Sequence, residues 1–147
     1  MKTINVKYHF DKYPEFTEKL EILENGDFID VRASEKVELK TGEFKLIPLG
    51  ISVKLPEGYY AELCPRSSTF KKYGILQTNS IGIIDESYCG EEDIWKMPVY
   101  ATRDVTIDAN DRIAQFRIVK KEDSISIKEV DHMEDESRGG FGSTGIK

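Results

Sequence analysis

Near its end the sequence reads RGGFGSTG, from Arg138 to Gly145, which combines one arginine, four glycines, one phenylalanine and two hydroxyls. A guanidinium fork and unhindered glycine amides are suited to gripping phosphate oxygens. No strand closely precedes this stretch and no helix follows it, so it is not an ordinary phosphate loop. CPRSSTF holds a second arginine-hydroxyl group: Pro65 stiffens the approach, then Arg66, Ser67 and Ser68 present a guanidinium and two hydroxyls beside backbone amides. Such a turn either grips an oxyanion or is merely solvated. In TNSIGIIDESYCGEE an apolar strand, Ile81 to Ile84, is expected to be buried and to end at Asp85, with Tyr88 and Gly90 in a tight turn. A carboxylate at the mouth of a buried strand either activates a water or caps the turn. The amide of Asn79 offers both a donor and an acceptor to a base edge. In DFIDVRAS, Asp30 stands between Ile29 and Val31 and needs a partner, either an arginine such as Arg112 or Arg32 or a hydrated Mg²⁺. Gln115 in NDRIAQF is an outward strand residue or a phosphate ligand.

The elements that must position these groups follow a period of two. INVKYHF alternates Ile4, Val6, Tyr8 and Phe10, and EFKLIPLGISVKLPEGYYAEL reads as successive strands broken by Pro48, Gly50 and the turn Pro56 to Gly58. MPVYATRDVTI and DRIAQFRIVKK add two extended runs, the second with Ala114, Phe116 and Ile118 on one face, and SISIKEV alternates again. SSTFKKY is at most a short helix, and PEFTEKLEIL is ambiguous. Many short strands with turn signals predict an all-β sandwich or barrel. From about Lys120 the composition turns polar, acidic and then glycine-rich, as in a disordered end, although such an end needs no arginine and aromatic set among glycines.

The 147 residues fit one domain. A net charge of −6 argues against nucleic acid, because duplex binding leans on a basic face. An anionic small molecule then needs a local arginine cluster or a metal ion. Cys64 and Cys89 are too few for a disulfide framework. No segment has signal-peptide or membrane-spanning character, so the chain is expected to be soluble and cytoplasmic. His9 and His132 lack companions at zinc-ligand spacing, and Trp95 is expected to pack a loop.

Taken in order, DFIDVRAS, PRSS, NSIGIIDESYCGE, NDRIAQF and RGGFGSTG resemble the motifs of the trimeric dUTP pyrophosphatase (dUTPase) family, over a span from about Asp27 to Gly145. LPEGYYAEL and QTNSIGIIDESY look closest to the Gram-positive and phage branch. The resemblance implies a jelly-roll-like subunit over residues 1–130 and a C-terminal lid over 131–147. It also implies a homotrimer with active sites at subunit interfaces, a dUTP substrate and a Mg²⁺ cofactor. Asp30 would hold a water of the Mg²⁺, and Arg66, Ser67, Ser68 and Gln115 would grip phosphates. Asn79 and the backbone at Gly82, Ile83 and Ile84 would read uracil, Tyr88 would lie under the deoxyribose, and Asp85 would activate the attacking water. Phe141 would stack on the base while Arg138, Gly142, Ser143 and Thr144 clasp the triphosphate. Where many members have glycine, this chain has Phe28; Ser87 replaces an acid; and Arg138 precedes Phe141 by three residues, a spacing that resembles the Gram-positive and phage group. The related dCTP deaminases need a glutamate on the strand after the substrate hairpin, and Met97 to Thr102 carries none. A nucleotide-sensing or regulatory binding protein of this fold is the remaining alternative; the sequence neither supports nor excludes a regulatory partner.

Overall fold

The computed structural model describes residues 1–142, so Ser143 and Thr144 lie outside the described residues. The expected alternation becomes short strands that send every second side chain inward. They are β1 (Asn5–Tyr8), β2 (Ile29–Arg32), β3 (Val37–Leu39), β4 (Phe44–Pro48), β5 (Ile51–Lys54) and β6 (Tyr59–Pro65). After the helical turn α1 (Thr69–Tyr73) come β7 (Ile75–Gln77), β8 (Gly82–Ile84), β9 (Lys96–Ala101), β10 (Val105–Ile107) and β11 (Arg112–Lys120). In β9, for example, Met97, Val99 and Ala101 are buried while Lys96 and Tyr100 face out.

All the pairings are antiparallel and most join strands distant in sequence. One sheet runs β2-β11-β6-β8, a second runs β4-β9-β7, and two ribbons, β1-β5 and β10-β3, complete the fold. The all-β expectation holds, and the crossed strand order agrees with a jelly-roll-like arrangement. The sheets enclose one core of Val31, Leu63, Met97, Val99, Ile113 and their neighbours. At its centre Trp95 meets Phe116 edge to face, with ring centroids 4.9 Å apart and planes 82° apart. Trp95 is thus a core residue that anchors the end of its loop. A register irregularity between Arg112 and Ala114 lets consecutive Ile113 and Ala114 both turn inward.

SSTFKKY does form a short helix, ended by Gly74 at φ +66° with its N–H on the Phe70 carbonyl. PEFTEKLEIL is neither helix nor strand; the Asn110 side chain pins it by accepting from Thr17 N at 2.9 Å and donating to Glu15 O at 2.9 Å. Two expectations need correction. Ile81 to Ile84 is not a buried strand, because β8 is only its last three residues and Ile81 and Ile83 are exposed. The antiparallel sheet that contains β8 packs one face on the core and leaves the other solvated. SISIKEV forms no ladder among the described residues, and Ile125, Ile127 and Val130 stand in solvent. No described helix is long and apolar enough to cross a membrane.

Gly50 links β4 to β5 at φ +71°, and a Cβ there would lie 2.6 Å from Phe16 Cε2 and 2.7 Å from Ser34 Cβ. Both neighbours are buried. Gly50→Ala therefore combines left-handed strain with overpacking and should cost roughly 2–4 kcal/mol, read as a lower urea midpoint at unchanged slope.

Candidate active site

Strand register assembles the first cluster. Asp30 on β2 lies opposite Gln115 on β11, which lies opposite Cys64 on β6, and all three face away from the core residues Val31, Ala114, Phe116 and Leu63. Arg66, just beyond β6, donates from Nε to Asp30 Oδ1 at 3.1 Å, and Arg112 donates from Nη1 to Asp30 Oδ2 at 3.4 Å. The Asp30 carboxylate is only 19% exposed, so this paired arrangement answers the need of a charge in an apolar strand. Arg112 is one of the two arginines that the sequence offered as partner; the other, Arg32, donates instead to Asn110 O at 2.9 Å. Gln115 Nε2 donates to Pro65 O at 3.2 Å, which ties β11 to the PRSS turn. In that turn the amide of Arg66 is not open to an anion, since it donates to Thr69 Oγ1 at 2.9 Å. Ser67 and Ser68 are exposed.

The second cluster stands at the other edge of the same sheet. Asp85 follows β8 directly, and a recess is lined by Ile83, Ile84, Asp85, Tyr88, Ile94 and Lys96. The amide of Tyr88 donates to Asp85 O at 3.0 Å, and its phenol donates to Ile94 O at 3.0 Å, fixing the ring across the loop. Burial, aided by the nearby Asp93 charge, pushes the Tyr88 phenol above its ordinary value and keeps it a donor. Asn79 sits in the connection between β7 and β8. Gly82 is in close quarters there, since a Cβ would meet Leu63 Cβ at 3.3 Å.

The Asp85 loop has anchors that the motif reading passed over. Glu86 Oε1 accepts from Gly58 N at 3.0 Å and from Lys121 Nζ at 2.6 Å, while Lys121 N donates to Gly58 O at 2.9 Å. Lys121, then the Gly58 amide, draw the Glu86 carboxyl below its ordinary value. Further along, buried His9 and Ser52 act in series: Ser52 Oγ donates to Glu91 O at 3.2 Å, so His9 Nε2, 2.8 Å away, must donate to Ser52. Lys7 also pairs with Glu91. The position of Glu86 beside Asp85 was a sequence signal; the strand ends that supply Gly58 and Lys121 were not.

Of the tail's candidate residues, Arg138, Phe141 and Gly142 make no hydrogen bond to either cluster among the described residues. Arg138 Nη1 donates to the adjacent Gly139 carbonyl at 3.4 Å, Gly142 is exposed, and Phe141 projects into solvent.

Among the described residues no group of three or more His, Cys, Asp or Glu is placed to hold a metal ion. Asp30 alone fits a hydrated Mg²⁺ brought with a triphosphate, because each of its oxygens keeps a lone pair for a metal-bound water. Two guanidiniums on that carboxylate do not fit a protein cage that binds the bare ion.

The dUTPase family model matches residues 28–145, a span that contains both clusters and the tail motif. A SPbeta prophage-derived deoxyuridine 5'-triphosphate nucleotidohydrolase of Bacillus subtilis is 53% identical over 137 residues, covering 92% of this chain and 96% of that protein. The chain belongs to the dUTPase family. A Streptomyces avermitilis member is 39% identical over 79% of this chain and 67% of its own length. Among solved structures, a Staphylococcus bacteriophage 80alpha dUTPase mutant with dUpNHpp superposes with a TM-score of 0.77 at 22% identity, covering 98% of this chain and 99% of that one. A mutant dUTPase from phage phi11 of Staphylococcus aureus, described with a structural Mg(II) ion, gives a TM-score of 0.72 at 20% identity over 90% of this chain and 99% of its own. These two likenesses establish the shared fold.

The Glu86 anchor yields a pH prediction. Its folded pKa is depressed, so its stabilisation is present above the ordinary carboxylate value of 4.5 and is lost as pH falls through the folded value. Glu86→Gln keeps an acceptor for Gly58 but loses the ion pair. It should be less stable than the parent chain at neutral pH, with the difference shrinking as pH is lowered through the acid range, as read by urea unfolding across a pH series.

Proposed function

We propose that the protein hydrolyses dUTP to dUMP and pyrophosphate at a site shared between subunits of a homotrimer. The observation that carries this reading is the pairing of an arginine-held carboxylate cluster with a separate Asp85–Tyr88 recess, inside a chain of the dUTPase family. Asp85, exposed and just outside the β8 ladder, orients the attacking water and takes its proton. The water oxygen bonds to the α-phosphorus as the bond to the bridging oxygen breaks, and pyrophosphate leaves. Arg66, with Ser67, Ser68 and Gln115, holds phosphate oxygens, and an arriving triphosphate competes with Asp30 for the Arg66 guanidinium. Bound Mg²⁺, held through water by Asp30, would offset charge on the triphosphate. Asn79 and the backbone of Gly82, Ile83 and Ile84 read uracil, and the Tyr88 ring, fixed through Ile94, excludes a ribose 2′-hydroxyl. Arg138, Phe141, Gly142, Ser143 and Thr144 close over the nucleotide as a lid.

Three features support assembly between copies. Asp30 and Asp85 occupy opposite edges of β2-β11-β6-β8, separated by three strand spacings, roughly 14 Å, across the sheet and by a further offset along it, too far to serve one α-phosphate within one chain. The outer face of β4-β9-β7 exposes Phe44, Leu46, Leu76 and Tyr100, with Phe44 and Leu76 both in register with Tyr100. Such a contiguous apolar face marks an interaction surface. The alternating arm 124–130, without a ladder partner among the described residues, is shaped to add to a sheet edge of a neighbour.

Asp85→Asn should lower kcat at least a thousandfold while dUTP affinity, measured by calorimetry, changes little; unchanged kcat would remove Asp85 from the mechanism. Truncation after Glu136 should leave a folded protein whose kcat/KM falls by about a hundredfold or more. Full activity of that truncation would contradict the lid.

A further inference from the structure

The connection from β7 to β8 contains a side-chain pair that the reading above leaves unused. Gln77, the last residue of β7, donates from Nε2 to Leu63 O at 3.0 Å and to Asn79 Oδ1 at 2.8 Å. A backbone carbonyl only accepts, so Leu63 dictates that the nitrogen of the Gln77 amide, not its oxygen, faces it. The second hydrogen of the same nitrogen then reaches Asn79, which must answer with its oxygen. Asn79 is left presenting Nδ2, a donor, to whatever meets its exposed side.

This arrangement is not explained by stability. The Gln77 Oε1 atom is buried and has no partner among the described residues. A buried acceptor without a partner is destabilising, and an apolar side chain of similar length would avoid that cost.

We propose that Gln77 is a positioning residue for base selection, holding Asn79 as a donor so that the hairpin accepts uracil and rejects cytosine. The two bases differ at position four, where uracil carries a carbonyl that accepts and cytosine an amino group that donates. A donor fixed in place matches the first and leaves the second with two opposed donors. A freely rotating asparagine would serve both bases, since its amide offers either end. Discrimination therefore lies in the residue that removes the rotation. This inference rests on the reading that Asn79 meets the base.

The test is calorimetric affinity for dUDP and dCDP, with Mg²⁺, in the parent protein, Asn79→Ala, Gln77→Leu and Gln77→Glu. The parent should prefer dUDP, and Asn79→Ala should lose most of that preference. Gln77→Leu should reduce it about tenfold, equivalent to roughly 1.4 kcal/mol, while melting at the same or a higher temperature. Gln77→Glu should reduce it further, because its carboxylate draws Asn79 Nδ2 inward and turns Oδ1 toward the base. Loss of preference in Asn79→Ala with full preference in both Gln77 variants overturns the role of Gln77 while leaving the base reading intact. Full preference in Asn79→Ala overturns the base reading and this inference together. Should Gln77→Glu fail to fold, Gln77→Leu decides, together with side-chain amide NMR. A fall in the order of the Asn79 side-chain amide, read by ¹⁵N relaxation of Nδ2 in Gln77→Leu, would agree with the proposal, and unchanged order would overturn it.

Discussion

The alternation of β11 is the constraint on which the rest depends. This strand pairs with β2 on one side and β6 on the other, so its inward and outward residues set two layers at once. Inward, Phe116 meets Trp95 and fixes the core, and through it the end of the loop that began at Asp85. Outward, Gln115 lies between Asp30 and Cys64 and bonds to the carbonyl before Arg66. A one-residue slip of β11 would turn Gln115 into the core and Phe116 into solvent, and would destroy both layers together. The extent of the buried face therefore protects the register of the site.

The Asp85 loop illustrates how an exposed segment is made firm without regular structure. Near its start, Glu86 is held by the ends of β6 and β11 through Gly58 and Lys121. Further on, the carbonyl of Glu91 is reached by Ser52, with His9 behind it, and the Trp95 backbone bonds to Leu49 and Ile51. Between these fixed ends Tyr88 closes the loop on itself through Ile94. In the role proposed for Asp85, preorganisation of this kind matters because a carboxylate gains little if its loop must be ordered during each turnover.

Much of this was legible in the sequence, and for physical reasons. Period-two patterning revealed the strands, since burial of one face forces alternation in residues such as Met97, Val99 and Ala101. Asp30 between Ile29 and Val31 announced its need for a partner, and Arg112 was correctly among those offered. What stayed hidden depends on strand order. That Arg66 also reaches Asp30, that Lys121 meets Glu86, or that Gln77 reaches across to Leu63 follows from long-range pairing with no local signature. Ile81 to Ile84 misled because an apolar run reads as buried, whereas β8 lies in an antiparallel sheet with one solvated face. SISIKEV kept the pattern of a strand without a ladder partner among the described residues.

The most direct measurement is pyrophosphate release, with Mg²⁺, from dUTP, dCTP, dTTP and UTP in parallel, with the nucleotide products separated by chromatography. The account predicts turnover of dUTP alone, giving dUMP in equal amount to pyrophosphate. Conversion of dCTP, or no release from any of the four, would contradict it.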